Sequence, residues 1–205
     1  MSFETTGYVV IRNAVQKDVV DFLVDYMSMK EQVARTLYDS GYLENHRHEW
    51  GGWDDPQSHG AYSNYSDIAM ESVLVRMHPV MEKFTGFNLV PNYSYTRTYI
   101  NGNTLLKHID REECEVSATL SLGGDEWPIY IGEGLEVNLK PGDALAYLGA
   151  KIPHWRNKFR GDKCYQAFFH YNRVNKDGST LALPFDGRPH LGLPPEFKVN
   201  RRGDE

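Results

Sequence analysis

Two cysteines in 205 residues, Cys114 and Cys164, are too few and too unpatterned for a disulfide framework, and they favour a reducing compartment. No apolar run approaches the roughly 20 residues that cross a bilayer. The opening MSFETTGYVV lacks the basic-then-apolar order of a secretory leader. These absences predict a cytoplasmic protein with no membrane partner. Also missing is any excess of basic residues: 22 Lys and Arg against 28 Asp and Glu leave a net charge of −6. The basic side chains are scattered rather than striped, which argues against a nucleic-acid partner. The sequons at Asn64 and Asn92 and the Arg-Gly-Asp triplets at Arg160 and Arg202 read as chance matches without an export signal. The oligomeric state is not legible.

What is present suits one compact domain over 1–205. Residues 7–14 read as a short strand. Val19, Leu23, Met27, Val33 and Leu37 then fall at helical spacing, so 17–38 reads as an amphipathic helix ending near Gly41. Residues 42–65, rich in Gly, His, Trp and Asn, read as a long loop. Ser66-Asp67 offers a cap for a second helix carrying Val73, Met77, Met81 and Phe84, which Pro79 is expected to kink or break. After Gly86 the texture changes. Strands are expected at 92–100, 115–122, 128–132, 134–139, 143–148, 151–157 and 163–171, parted by Asn-Gly-Asn, Gly-Gly-Asp, Gly-Glu-Gly and Lys-Pro-Gly-Asp turns. Many short, evenly spaced strands predict a sandwich or barrel, with the helices packed on the outside of one sheet. The fold class is therefore mainly β with flanking helices (α+β). It divides into an N-terminal strand and supporting helices (1–90), a β core (91–173) and a Pro- and Gly-rich C-terminal arm (174–205) that wraps the surface or lids the open end.

One short motif stands out. In His108-Ile109-Asp110, an extended backbone turns positions i and i+2 to one side, so an imidazole and a carboxylate reach the same point. His154, on a later strand, offers a third ligand. Two histidines and a carboxylate on one face of an octahedron leave three positions open, a set that suits non-haem Fe(II) and dioxygen. Nine positions on, Lys163 opens the strand KCYQAFFHYN, sharing a face with Tyr165, Ala167 and Phe169. A lysine facing a barrel interior needs an anion, and a metal-bound dicarboxylate would supply one.

His-x-Asp, a downstream His, and then a basic residue nine or ten positions later resembles the Fe(II)/2-oxoglutarate-dependent oxygenase superfamily, and within it the prolyl-4-hydroxylase-like branch. The resemblance covers most of the chain, from GYVVIRNAV and its helix through 92–171. It implies a double-stranded β-helix (jelly-roll, cupin-like) core, with Fe(II) held by His108, Asp110 and His154, and with 2-oxoglutarate and dioxygen as co-substrates. It implies that Lys163 holds the distal 2-oxoglutarate carboxylate, with Arg160 ranked second. Tyr99 would hydrogen-bond the co-substrate or simply be a core aromatic. Ser121 stands where some relatives carry a tyrosine. Tyr95, Arg97, Arg156 and Phe169 are candidates for contact with the substrate, and Arg156 has surface pairing as its alternative. Phe169 and Leu120 would limit water at the centre. His46 and His48 form a second metal site or an exposed loop pair, and Trp50 and Trp53 cover substrate or pin their loop. The implied activity is hydroxylation of a C–H bond of a peptidyl or free amino acid, proline first, coupled to conversion of 2-oxoglutarate to succinate and carbon dioxide. Two alternatives stay open: the same chemistry on a nucleobase or small metabolite, and a non-catalytic jelly-roll binding module. YQAFFHYN carries no arginine cluster, which counts against the nucleobase.

Overall fold

The computed structural model describes residues 3–43 and 48–198. A four-residue helix α1 (Phe3–Thr6) leads into β1 (Tyr8–Ile11) and the long helix α2 (Lys17–Asp39). Strand β2 (Tyr62–Tyr65) precedes helix α3 (Ile68–Thr85). Eight strands follow: β3 (Leu89–Ile100), β4 (Leu105–His108), β5 (Val116–Gly124), β6 (Ile129–Ile131), β7 (Leu135–Val137), β8 (Ala144–Tyr147), β9 (His154–Arg156) and β10 (Lys163–Arg173). They form two antiparallel sheets, a six-stranded one in the order β1-β8-β5-β10-β3-β2 and a four-stranded one in the order β4-β9-β6-β7.

The six-stranded sheet buries both faces for different reasons. Its outer face carries Val116, Ala118, Leu120, Ala144, Ala146, Ala167, Phe169 and Tyr171, packed against Val20, Leu23 and Met27 of α2 and Met70, Leu74, Met77 and Met81 of α3. Four alanines on that face let the helices approach closely. Each fully buried large side chain there stabilises the fold by about 1.5–3 kcal/mol. The inner face is largely polar: Ser117, Thr119 and Ser121 on β5 lie beside Gln166, Phe168 and His170 on β10, and these lie beside Arg97, Tyr95 and Tyr93 on β3. That polar interior, closed by the small sheet, is where a site can form.

Two expectations about the helices need correction. The buried stripe of α2 runs through Val20, Leu23, Met27 and Ala34, while Val33 is exposed. Pro79 does not break α3, which continues to Thr85. The carbonyl that Pro79 leaves without its N–H partner belongs to Val75, a residue on the exposed side of the helix. The start of α3 is as expected: the Asp67 carboxylate accepts from the N–H groups of Ala69 and Met70. Gly86 closes the helix at φ 75°, a left-handed conformation that glycine adopts without strain. Asn64 and Asn92 are buried, so neither sequon is open to a glycan in the folded protein.

Candidate metal centre

His108 ends β4 and His154 begins β9, and the two are direct cross-strand partners. Cross-strand neighbours on one face lie close together, and the imidazole centroids are 4.4 Å apart. Asp110 follows two residues after His108, its backbone N–H donating to the Gly149 carbonyl at 2.9 Å. His108 Nε2 lies 3.4 Å from Asp110 Oδ1, and His154 Nε2 lies 3.5 Å from the same oxygen. The three ligand atoms lie within 4.8 Å of one another. Each Nδ1 is turned to a backbone carbonyl, Leu106 O at 2.8 Å for His108 and Ile152 O at 3.1 Å for His154. With Nδ1–H donated to a carbonyl, each ring keeps its Nε2 lone pair free for a metal.

Burial works to raise the Asp110 pKa, but the His108 and His154 side chains beside it outweigh that effect and hold the carboxyl well below the usual range. The same contact raises His108, against the opposing effect of its burial. The pocket is thus a carboxylate facing two imidazoles, a donor set that fits Fe(II).

Several residues that sequence reasoning passed over complete the site. Ser117 Oγ lies 3.2 Å from Asp110 Oδ2 and 2.9 Å from His170 Nδ1. Burial pulls His170 down to about 4, so it is neutral near pH 7. The Tyr147 hydroxyl is 3.5 Å from His154 Nε2. Gly149 matters by its lack of a side chain: a Cβ there would meet Cys114 O at 2.4 Å, Asp110 Oδ2 at 2.5 Å and Ser117 Oγ at 2.6 Å. Gly149→Ala is therefore expected to displace the carboxylate and weaken Fe(II) binding about 10–100-fold, as loss of a ligand's supporting contacts does, with the far-ultraviolet circular dichroism unchanged. An anaerobic Fe(II) titration checks it, and parental affinity would mean that Gly149 does not set the Asp110 position.

A cavity of about 260 Å³ opens over the three ligands. Tyr93, Tyr95, Arg97, Arg111, Gln57 and Phe168 line its approach. Arg97 is buried but neutralised: its Nε donates to Asp55 at 2.5 Å, its Nη2 to Gln57 at 2.6 Å and its Nη1 to the Tyr99 hydroxyl at 3.1 Å. Asp55 also accepts from the Tyr95 hydroxyl at 2.8 Å. Both Asp55 and Gln57 come from the segment read as a featureless loop. In the same segment Trp53 packs on Tyr38 and Tyr62, with the Arg35 guanidinium 4.2 Å from its ring centre, so it pins the loop. Trp50 borders a surface groove with Tyr26 and Met29, away from the metal ligands. His46, and the side chain of His48, lie outside the described residues.

The other candidates divide between the barrel interior, lined by the large sheet and by β9 of the small one, and the helix side of the large sheet. Tyr99, Tyr95, Arg97, Ser121 and Arg156 are on the inner side. Lys163 and Phe169 are not. Lys163 shares its face with Tyr165, Ala167 and Phe169, as expected, but that face looks toward the helices. Its ammonium is 3.2 Å from Glu31 of α2 and its side chain is 46% exposed. Phe169 and Leu120 belong to the helix-side core, and Phe168 takes the interior position instead. Arg160 is exposed in the turn between β9 and β10. Arg156 is 2% exposed, so its alternative as a surface pair fails. Burial without a carboxylate partner pulls its guanidinium below the usual arginine range.

No protein-family model matches the chain, and no curated protein matches it by sequence. Solved structures do match. A Pseudomonas putida prolyl-4-hydroxylase superposes with a TM-score of 0.57 at 18% identity, over 84% of this chain and 96% of its own. An oxidoreductase of the 2OG-Fe(II) oxygenase family from Burkholderia pseudomallei gives 0.57 at 12%, over 87% and 90%. The fold is that of the 2-oxoglutarate–iron oxygenases. HygX from Streptomyces hygroscopicus, solved with nickel, 2-oxoglutarate and hygromycin B bound, gives 0.59 at 13% identity, over 82% of this chain and 84% of its own. The double-stranded β-helix that the resemblance implies is thereby present, and His108, Asp110 and His154 converge inside it.

Proposed function

We propose that this protein is an Fe(II)- and 2-oxoglutarate-dependent oxygenase that hydroxylates a C–H bond of an amino acid, free or within a peptide, with proline as the first candidate. The observation that carries the reading is the convergence of both Nε2 atoms on one Asp110 oxygen, at 3.4 and 3.5 Å, inside a cavity. Ferrous iron bound there with 2-oxoglutarate supplies dioxygen activation coupled to decarboxylation of the co-substrate to succinate and carbon dioxide. The chain's own part is positioning and exclusion. His108, Asp110 and His154 would hold the ion and leave room on it for the co-substrates. Leu105, Ile129 and Phe168 give the cavity an apolar wall that keeps water from the reacting carbon. Tyr93, Tyr95, Arg97 and Arg111 offer the substrate aromatic faces and N–H donors.

A proline substrate is supported by the likeness to prolyl hydroxylases, one of them solved with a peptide fragment of a hypoxia-inducible factor. A second reading, the same chemistry on a small metabolite, is supported by the likeness to the hygromycin-bound structure and by the modest volume of the cavity. A single assay separates them: Fe(II)-dependent succinate release from 2-oxoglutarate, offered proline, prolyl peptides, other amino acids and a set of polyhydroxylated metabolites. Stimulation by a prolyl compound is the expected result. Stimulation only by a metabolite moves the substrate to the second reading, and a folded, iron-loaded protein that releases no succinate with any of them rejects the oxygenase.

A further inference from the structure

Three arginines are buried among the described residues: Arg97, Arg156 and Arg188. Arg97 has Asp55 and Arg188 has Glu71. Arg156 pairs with no carboxylate among the described residues. Its Nη1 donates to the Trp127 carbonyl and its Nη2 to Gln166 Oε1 at 3.2 Å, both neutral acceptors, while its Nε–H has no acceptor. A guanidinium sealed from water with a donor unmet is costly, because two neutral acceptors and the Trp127 ring, whose centre is 5.1 Å from the guanidinium carbon, offset only part of the desolvation of the charge. Arg156 nevertheless lies inside the barrel, amid neutral polar groups that leave its charge intact. Thr119 Oγ1 donates to Gln166 Oε1 at 3.2 Å, and Gln166 Nε2 donates to Cys164 Sγ at 3.3 Å. Gln166 is thereby held in place beside the guanidinium.

Its position relative to the metal ligands is also fixed by the strand. Arg156 and His154 are two residues apart on β9, so both face the interior, about 6.6 Å apart along the strand. One face of β9 thus carries a metal ligand and an unpaired cation side by side. We propose that Arg156 is the anchor for the far carboxylate of the dicarboxylate co-substrate, so that the anion site sits on β9 and not at the head of β10. The unmet Nε–H and the adjacent Nη2 edge form the planar fork that a carboxylate accepts from in two parallel hydrogen bonds. Lys163, on the opposite face of β10 and paired with Glu31, takes no part.

This inference rests on the oxygenase reading, and the experiment keeps the two apart. Fe(II)-loaded protein is titrated without oxygen with 2-oxoglutarate and, separately, with 2-oxobutyrate, which chelates through the same keto acid but ends in a methyl group. The visible charge-transfer absorption of the chelate reports binding of each. In the parent protein 2-oxoglutarate is expected to bind at least 100-fold more tightly, about 2.8 kcal/mol at roughly 1.4 kcal/mol per tenfold. R156M, which keeps length and loses the fork, should bind the two acids alike, with circular dichroism confirming the fold. K163M, a change on an exposed side chain, should keep the full preference. Retention of the preference in R156M, its loss in K163M, or its absence in the parent each overturns the assignment. A parent protein that develops no absorption with either acid rejects the oxygenase itself, and the anchor falls with it.

Discussion

Asp110→Ala is expected to abolish the stabilisation that Fe(II) confers, while leaving the metal-free fold intact. Ligand binding stabilises a native state by about 2.7 kcal/mol when the ligand is present at 100 times its Kd. For a chain of this size roughly 1 kcal/mol moves the melting temperature by about 2–4 °C. Parent protein melted anaerobically with saturating Fe(II) should therefore gain about 5–10 °C. Asp110 is the only anion of the triad, and both imidazoles point their Nε2 atoms at its Oδ1. Without it the ion faces two neutral ligands, and the site loses its charge complement. A closed four-ligand zinc site yields roughly 10–16 kcal/mol, so one ligand in such a set is worth about 3 kcal/mol or more, at least a hundredfold in affinity. The variant should gain no more than about 2 °C at the iron concentration that saturates the parent, by the same linkage. Its metal-free fold should survive at a somewhat lower melting point, because the Asp110 side chain loses its contacts with His108, His154 and Ser117 but packs at a cavity wall and supports no core cluster. An undiminished shift with iron in Asp110→Ala would mean that the ion binds elsewhere, and the triad would lose its role.

The convergence of the candidate ligands could be found from spacing because the chemistry imposes it: i and i+2 on an extended segment, with a partner histidine opposite. The strands after Gly86 were legible for a related reason, since alternation and Gly- or Asn-rich turns mark both their interiors and their ends. Strands β2 and β4 escaped. Each has four residues, and Tyr-Ser-Asn-Tyr and Leu-Leu-Lys-His alternate too weakly to be seen. The face of β10 was the instructive failure. Lys-Cys-Tyr-Gln-Ala-Phe-Phe-His-Tyr-Asn has aromatic residues at both parities, so hydrophobicity does not distinguish inside from outside in a strand buried on both sides. The resemblance, which asks for a basic residue nine or ten positions after His154, assigned Lys163 to the interior, and Ala167 and Phe169 with it. Here the helices form the apolar side, and the barrel interior is lined with polar groups around the candidate site. Gln166 and His170, alternating with Phe168, carried that signal. Arg156 carried it as well: the i, i+2 argument that joined His108 to Asp110 also places Arg156 beside His154.

The second large effect lies in the C-terminal arm, at Arg188. Its side chain is completely buried, and Glu71 beside it on α3 is 2% exposed. Arg188 Nη2 donates to Glu71 Oε1 at 2.7 Å and to the Asn92 carbonyl at 2.9 Å, Nη1 to the Leu193 carbonyl at 2.5 Å, and Nε to the Phe185 carbonyl at 2.8 Å. Glu71 in turn accepts from the Gly192 backbone N–H. One ion pair thus ties the arm to α3 and to β3. Removing one partner of such a pair leaves a charge buried alone, which costs about 3–5 kcal/mol, so Arg188→Met should lower the melting temperature by roughly 6–20 °C. The double change Arg188→Met with Glu71→Met removes both charges together and should recover much of that loss. If the loss came from packing alone, the double variant would melt no higher than the single one. The effect should also reach the cavity. The arm carries Asp186, which accepts from the Arg111 guanidinium at 2.9 and 3.1 Å and from the Tyr65 hydroxyl. Arg111 lines the approach to the metal ligands. With its anchor cut, the arm no longer holds Asp186 against Arg111, so the single variant should raise KM for the organic substrate. Iron affinity should stay at the parental value, because His108, Asp110 and His154 are held by β4, β9 and Gly149 and by no described residue of the arm.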